Sequence, residues 1–245
     1  MQQLVPSLSN VSTLSCESCQ LGKHSHSSFS SSVSQRASSP FALVHADISG
    51  PSRIKSNLGF QYFVTFIDNN SRCTWVFLMK NRYELFSIYQ IFYNEIKNPF
   101  GISIRILRSD NGRDYLSHSF KNFMASHGIL HQTSCAYTPQ QNSVAERKNR
   151  HLVETTRTII INGDVPQRFW GDVLSACYLI NRMRSSVLDN KILHSILFPH
   201  DLLHSLPPKV FGSTCFVHNF SPGLDKLSLK SHKCVFLGFT RSQKG

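Results

Sequence analysis

Three acidic residues have the types and positions of a metal-dependent site. Asp47 lies in the segment VHADISGP, Asp110 lies in SDNGRDY after a strand-like run, and Glu146 lies in TPQQNSVAERKNRHL, with 35 residues between the last two. Mg²⁺ is a hard ion that prefers carboxylate and water oxygens to thiolate or imidazole. Two such ions, about 3.5–4 Å apart, clamp the attacking and leaving oxygens of an in-line phosphoryl transfer. The three acids therefore predict metal-assisted phosphoryl transfer.

Strands and one helix are needed to bring these acids together. Neighbouring strands would place Asp47 and Asp110 side by side, and a helix crossing that edge would deliver Glu146. Projection of the helix at about 100° per residue predicts an inward stripe. The stripe consists of Ala145, Asn149, Leu152, Thr156 and Ile159. Because Glu146 lies at the border of this stripe, we expect it at the edge of the buried face.

Each acid also has a simpler interpretation. An Asp before Asn-Gly is commonly a turn residue. A Glu on a basic helix commonly forms a solvent-exposed pair with a residue one turn further on, here Arg150. Glu154, eight residues after Glu146, is interpreted as exposed surface. Spacing alone leaves both interpretations open.

The periodicity between residues 41 and 200 predicts an α/β fold. Two runs rich in β-branched and aromatic residues flank a turn at 68–71 and predict a β-hairpin. Further strand-like runs alternate with segments of helical spacing. The predicted strands are 43–48, 61–67, 73–79, 102–107 and 129–134, and the predicted helices are 82–97, 117–127, 141–161 and 167–184. The order β-β-β-α-β-α-β-α-α predicts a mixed sheet with flanking helices.

The composition favours a folded protein with a polyanionic partner. The chain has 26 Lys and Arg against 14 Asp and Glu, a net charge of +12, and 40% hydrophobic residues. Such a surplus of positive charge suggests nucleic acid, with simple solubility as the alternative. No apolar run approaches the roughly 18 residues of a membrane-spanning helix, so no membrane is expected. The seven cysteines and the lack of a signal sequence indicate a reducing compartment, with five of the cysteines interpreted as buried small hydrophobes.

Six segments, in order, resemble the integrases of copia-type long-terminal-repeat retrotransposons. They are VHADISGP, FVTFIDNNSRCTWVFLMK, ILRSDNGRDY, GILHQTSCAYTPQQNSVAERKNRHLVETTRTI, FWGDVLSACYLINRM and KCVFLGFTRSQKG. The resemblance runs from about Cys16 to the last residue, and TPQQNSVAERKNR is its most specific part. It suggests a fragment of the integrase region of a Pol polyprotein.

This resemblance implies a fold, a site and a function. The fold is a ribonuclease-H-like mixed five-stranded sheet with flanking helices, followed by a partial small SH3-like β domain. The catalytic and metal-binding acids map onto Asp47, Asp110 and Glu146, with Mg²⁺ or Mn²⁺ as cofactor. The implied reaction is strand transfer, in which a 3′-hydroxyl of element DNA attacks a phosphodiester of target DNA. The residues expected to contact DNA are Asn142, Arg147, Lys148, Arg150 and Arg157.

The family also implies partners and a location. Its enzymes pair two element ends on target DNA as oligomers, so we expect a homo-oligomer when the protein is active. The expected location is the nucleus, after a stage in a cytoplasmic particle.

Four regions are predicted along the chain. Residues 1–24 would be a remnant of a zinc-binding domain, 25–39 a Ser-rich linker, 40–200 the catalytic core and 207–245 the partial β domain. Cys16 and Cys19 resemble half of a His-His-Cys-Cys zinc site. No histidine precedes Cys16, so zinc is expected only in the full-length parent.

One departure from the family pattern bears on activity. Arg113 stands at a position where the family shows glycine, which suggests backbone strain or a blocked approach of DNA. A decayed integrase that retains only nucleic-acid binding is therefore the alternative function. A ribonuclease of the same fold is a further rival, but it usually needs another acid and often a catalytic histidine.

Overall fold

The structure is a computed structural model that describes residues 36–134, 142–203, 209–223 and 225–238, without the side chains of 172–176. The predicted zinc half-site with Cys16 and Cys19 lies outside the described residues, as does most of the predicted linker.

Five strands form one mixed sheet. They are β1 (Leu43–Ser49), β2 (Tyr62–Asp68), β3 (Thr74–Met79), β4 (Ile106–Ser109) and β5 (Leu130–Thr133). The strand order is β3-β2-β1-β4-β5, with the β1–β2 and β2–β3 pairs antiparallel and the β1–β4 and β4–β5 pairs parallel. This arrangement confirms the predicted five-stranded mixed sheet, and β1 lies at its centre.

Five α-helices connect or follow these strands. They are α1 (Leu85–Phe100), α2 (His118–Ser126), α3 (Ser143–Asn162), α4 (Val173–Asn181) and α5 (Leu193–Leu197). Short 3₁₀ turns occupy Arg82–Glu84, Arg113–Leu116, Gln167–Asp172 and Ser186–Leu188.

Two helix predictions need correction. The helix predicted to end at residue 97 continues through Pro99 to Phe100 and ends at Gly101, which has a φ of 61°. A proline in the last turn loses only one backbone hydrogen bond, whereas the left-handed backbone at Gly101 stops the helix. The predicted helix 167–184 begins as a 3₁₀ turn and is α-helical only over α4.

The two faces of the sheet bury different clusters because successive side chains of a strand point to opposite sides. Val64 and Phe66 of β2 lie in a large aromatic core beneath α1, where the rings of Phe66 and Phe92 stack with centroids 4.3 Å apart. Phe63 lies on the other face, in a smaller cluster with Leu152 of α3. The second face is the one that carries the acids of the site.

Shorter elements complete the described chain. They are β6 (Arg184–Ser185), β7 (Lys191–Ile192), β8 (Thr214–His218) and β9 (Ser231–Val235). Strands β8 and β9 pair antiparallel, as the sequence predicts for this region, and many of their apolar side chains are exposed. The boundary of a separate partial β domain at 207–245 stays a prediction.

The described cysteines differ in burial. Cys73 and Cys177 are buried, as expected of small hydrophobes, whereas Cys215 and Cys234 are only half-buried on the β8–β9 pair. Among the described helices, none has the length and apolar character that a bilayer crossing requires.

The aromatic core predicts a sharp difference between two neighbouring residues of α1. Phe92 is fully buried and Ile91 is 51% exposed. Phe92→Ala removes a ring from a packed core and should lower the free energy of unfolding by about 3–5 kcal/mol. Ile91→Ala should change it by less than about 0.5–1 kcal/mol. Urea denaturation followed by circular dichroism measures both, and equal losses would contradict this account of the core.

Candidate active site

Strands β1 and β4 bring Asp47 and Asp110 to the same region of the sheet. The two strands are parallel neighbours, with His45 opposite Arg108. Asp47 lies two residues after His45, and Asp110 lies two residues after Arg108. The Ser109 hydroxyl holds the end of β4, since it donates to the Asp110 carbonyl oxygen at 2.8 Å and lies 2.9 Å from Nε2 of His131. The predicted side-by-side placement of the two aspartates follows from this register.

Asn149 of α3 orients the Asp47 carboxylate. The Thr65 hydroxyl, on the strand next to Asp47, donates to Oδ1 of Asn149 at 2.7 Å. This bond fixes the amide, so that its Nδ2 group donates to Oδ2 of Asp47, also at 2.7 Å. Asn149 is 5% exposed and Thr65 is fully buried. Asn149 was predicted in the inward stripe, but its bond to Asp47 was not predicted. A polar residue within an otherwise apolar buried stripe is the sequence signal that indicates such a bond.

The environment of Asp47 disfavours its charge. Burial and the neighbouring charge of Asp110 raise the pKa of Asp47 from 3.8 to about 7, and the charge of Glu146 adds to the rise. The hydrogen bond from Asn149 acts in the opposite direction because it stabilises the ionised carboxylate. A carboxyl pKa that burial and like charges shift strongly is typical of functional sites.

A tight turn holds Asp110. The Gly112 amide donates to Oδ1 of Asp110 at 3.1 Å. A Cβ atom at Gly112 would lie 3.0 Å from that same oxygen, so a side chain there would push against the carboxylate. Gly112 has a φ of −63°, and Arg113 is not among the described residues with positive φ. The expected backbone strain at Arg113 is therefore wrong, because the 3₁₀ turn gives it an ordinary conformation.

Helix α3 delivers Glu146 at the border of its buried face. The buried residues of the helix are Ala145, Asn149, Leu152, Thr156 and Ile160. This confirms the predicted stripe except at its last position, where Ile160 replaces Ile159. Glu146 is exposed in the first turn, and it lies near enough to Asp47 for its charge to raise that residue's pKa. The helix therefore directs Glu146 towards the two aspartates.

Arg82, which the sequence analysis did not select, also reaches this site. Its Nε donates to Oδ2 of Asp114 at 2.8 Å in an ion pair. Burial lowers the pKa of Arg82, but the bond to Asp114 and the charge of Asp110 outweigh it and raise that pKa. Arg82 lies in the short turn before α1. No local sequence motif indicates this ion pair, because the two residues are 32 positions apart in the chain.

The donor set suits a hard divalent cation. Carboxylate oxygens are the ligands that Mg²⁺ and Mn²⁺ prefer, and a cation beside Asp47 would offset the like charges that raise its pKa. Among the described residues, no group of three or more His, Cys, Asp and Glu side chains is close enough to hold a metal ion. The chemistry of Asp47 and Asp110 fits a cation, and Glu146 is exposed and contributes through its charge on Asp47.

Comparison with known proteins agrees with this arrangement. Residues 37–139 match the model of the integrase core domain family. The chain contains an integrase core domain. It is 39% identical over 231 residues to the retrovirus-related Pol polyprotein from transposon TNT 1-94 of Nicotiana tabacum. This alignment covers 94% of this chain and 17% of that protein. The chain is 33% identical over 236 residues to the Pol polyprotein from transposon RE2 of Arabidopsis thaliana, covering 94% of this chain and 16% of that protein.

A solved structure shares the fold of this integrase core. The chain matches a chain of the simian T-cell lymphotropic virus intasome in complex with the PP2A regulatory subunit B56 gamma, with a TM-score of 0.55 and 18% identity. The match covers 82% of this chain and 69% of that one. These comparisons confirm the resemblance to copia-type integrase regions and the ribonuclease-H-like fold. The chain spans about a sixth of the length of the plant polyproteins.

The residues expected to contact DNA differ in their exposure to solvent. Arg147, Arg150 and Arg157 are exposed on α3, whereas Lys148 is half-buried. Burial and the charge of Arg72 lower the pKa of Lys148. The lysine therefore does not stand on the open surface with the three arginines.

Asn142 requires a correction. It is 1% exposed, and its Nδ2 donates to the Ala46 carbonyl oxygen at 3.1 Å. A buried amide that binds the backbone next to Asp47 anchors the start of α3 instead of contacting DNA. The sequence analysis missed this because a polar residue before a helix is equally consistent with a surface position.

The raised pKa of Asp47 predicts a specific pH dependence of stability in the integrase core. A carboxyl with a pKa of about 7 when folded, against 3.8 unfolded, retains its proton in the native state between those values. Its contribution to stability is therefore greatest at low pH and is lost as the pH rises towards 7. Asp47→Asn should remove this loss. The free energy of unfolding of the variant, relative to that of the wild type, should therefore rise by about 2 kcal/mol from pH 4 to pH 8, after allowance for solvent screening.

Urea denaturation of both proteins across this pH range measures the difference. Glu154→Gln, an exposed acid on α3, is the matched control and should follow the wild type. A pH-independent difference between Asp47→Asn and the wild type would contradict the raised pKa.

Proposed function

We propose that this chain is the catalytic part of a retrotransposon integrase that inserts element DNA into target DNA by strand transfer. The observation that supports the proposal is the Asp47 carboxylate, which lies on the strand next to that of Asp110 and has a raised pKa because of burial and the charges of Asp110 and Glu146. In the proposed reaction a 3′-hydroxyl of element DNA attacks a target phosphodiester. Water in place of the hydroxyl gives endonuclease activity.

Each residue has a proposed role in that reaction. Asp47, Asp110 and Glu146 would hold Mg²⁺ or Mn²⁺, with Asp47 oriented by Asn149. When bound, the metal would activate the attacking hydroxyl and stabilise the leaving oxygen. The exposed Arg147, Arg150 and Arg157 would bind the DNA backbone, since arginine matches phosphate geometry and its contacts carry little sequence information.

The proposal extends to assembly and location. Pairing two element ends on target DNA requires more than one active site, so we propose a homo-oligomer. The structural match to a retroviral intasome chain supports only the shared fold. Because the target is chromosomal DNA, we propose that the parent protein acts in the nucleus.

The acids can be tested against a matched control on the same helix. Asp110→Asn keeps the size of the side chain but removes the charge that attracts the metal, and it should lower Mg²⁺-dependent strand transfer or strand cleavage at least about 100-fold. Glu146→Gln should do the same, whereas Glu154→Gln, also exposed on α3, should retain wild-type activity. DNA binding should be nearly unchanged in all three, and none of them should have a lower thermal midpoint than the wild type, because Asp110→Asn and Glu146→Gln each remove a charge that repels Asp47. The assay is gel-resolved joining of a labelled element-end duplex to a plasmid.

A second candidate function is DNA binding without catalysis. The observation that favours it is the absence, among the described residues, of three acidic, histidine or cysteine side chains gathered closely enough to hold a metal. This candidate predicts equal residual activity in the wild type and in Asp110→Asn, with DNA binding intact in both. The proposed enzyme predicts that only the wild type is active.

A further inference from the structure

Positive charge gathers around the turn between β2 and β3, away from the acids. Arg72 lies in this turn, and Arg36 binds it through a hydrogen bond from its Nε to the Asn70 carbonyl oxygen. Arg147, near the start of α3, is near enough for its charge to lower the pKa of Arg72. We call Arg36, Arg72 and Arg147 the arginine cluster. The register opposes Asp68 to Val44, three residues and about 10 Å along β1 from Asp47, so the turn that carries Arg72 lies apart from the Asp47 carboxylate, and Arg147 links the two regions from its position next to Glu146.

Reciprocal hydrogen bonds hold Arg36 in place. Asn70 donates from Nδ2 to the Ala37 carbonyl oxygen at 2.7 Å, and the Ala37 amide donates to Oδ1 of Asn69 at 2.7 Å. Nδ2 of Asn69 in turn lies 3.0 Å from Nε2 of His45, which is buried on β1. The segment that carries Arg36 is thus fastened to the turn rather than lying loosely over it.

Arg72 is the unusual member of the cluster. It is half-buried with a positive φ of 61°, and within the described residues its buried Nε has no hydrogen-bond partner. Burial and the charges of Arg36 and Arg147 lower the pKa of Arg72. A buried guanidinium without a partner is costly, because its donors lose water without gaining an acceptor.

The acid whose charge acts on Arg72 is already held by other hydrogen bonds. Asp68 is the one acid among the charges that act most strongly on Arg72. Its Oδ1 already accepts from the Phe41 amide, and its Oδ2 accepts from the amide and the hydroxyl of Ser71. The ion pair between Arg82 and Asp114 involves none of the three arginines. The cluster is therefore preorganised for an anion from outside the described chain.

We propose that the arginine cluster binds a phosphate group of a nucleic-acid strand. Arginine forks match the oxygens of a phosphate, and the exposed part of Arg72 leaves an approach from solvent. The net charge of +12 favours a polyanion over an isolated small anion. The inference rests on the proposed function only in taking a nucleic acid as the source of the phosphate.

Arg72→Gln gives a signature that a purely structural arginine would not produce. The variant should bind a fluorescein-labelled DNA duplex on the order of tenfold more weakly, and the slope of log affinity against log salt should fall by about 1. Its thermal midpoint at low salt should rise, because a buried and repelled charge has been removed. A structural arginine would instead lower the midpoint. Arg36→Gln should weaken binding in the same direction, which keeps the test valid if Arg72→Gln folds poorly.

Arg184→Gln is the control, since Arg184 is exposed on β6 and the variant loses the same charge. It should leave the affinity and the salt slope nearly unchanged. An equal loss of affinity in Arg184→Gln and Arg72→Gln would overturn the proposal, because binding would then depend on net charge alone.

Inorganic pyrophosphate separates this inference from the proposed function. It should raise the thermal midpoint of the wild type through preferential binding to the folded state, and raise that of Arg72→Gln less. If the wild type binds no duplex, the proposed function fails, but a pyrophosphate effect that depends on Arg72 would still establish the anion site. Unchanged duplex affinity in Arg72→Gln, with the pyrophosphate effect lost, would assign a free anion instead of a strand. No pyrophosphate effect and no loss of duplex affinity would refute the cluster as a site.

Discussion

The repulsion between Asp47 and the neighbouring acids is the constraint on which the site depends. Two parallel strands place Asp47 and Asp110 together, and burial removes the water that would screen their charges. The fold offsets part of this cost with the Thr65–Asn149–Asp47 hydrogen bonds. The unfavourable electrostatic free energy that remains would favour cation binding, because a positive charge at the site reduces the repulsion between the carboxylates.

Helix α3 connects this site to the rest of the molecule. Asn142 anchors its start to Ala46, Asn149 binds Asp47, and Leu152 packs into the second core cluster. One buried stripe thus holds the helix on the sheet while the flanking residues face solvent on two sides. Glu146 lies on the flank near Asp47, and Arg147 belongs to the arginine cluster. The same helix therefore serves both the proposed catalysis and the proposed phosphate binding.

The sequence could predict what local pattern and motif determine. The β-branched and aromatic runs of β2 and β3 and the helical stripe of α3 could be predicted, because residue type and period determine them. The three acids were assigned through the family resemblance, because their spacing alone left two interpretations open. The roles of Arg82 and Arg72 could not be predicted from the sequence. Arg82 depends on a partner that is distant in sequence, and Arg72 stands out because its buried Nε has no hydrogen-bond partner among the described residues. Asn142 was misplaced, and strain at Arg113 was wrongly expected, because neither burial nor a backbone angle can be read from residue type alone.

The most direct test of the account is the pKa of Asp47, measured by carboxyl ¹³C NMR with and without Mg²⁺. Without metal the account predicts a pKa of about 7, and Asp110→Asn should lower it by removing the neighbouring charge. Saturating Mg²⁺ should also lower it, because the bound cation stabilises the ionised carboxylate. An Asp47 pKa near 3.8 without metal, or a raised pKa that Mg²⁺ leaves unchanged, would contradict the claim that the acids form one cation-binding site.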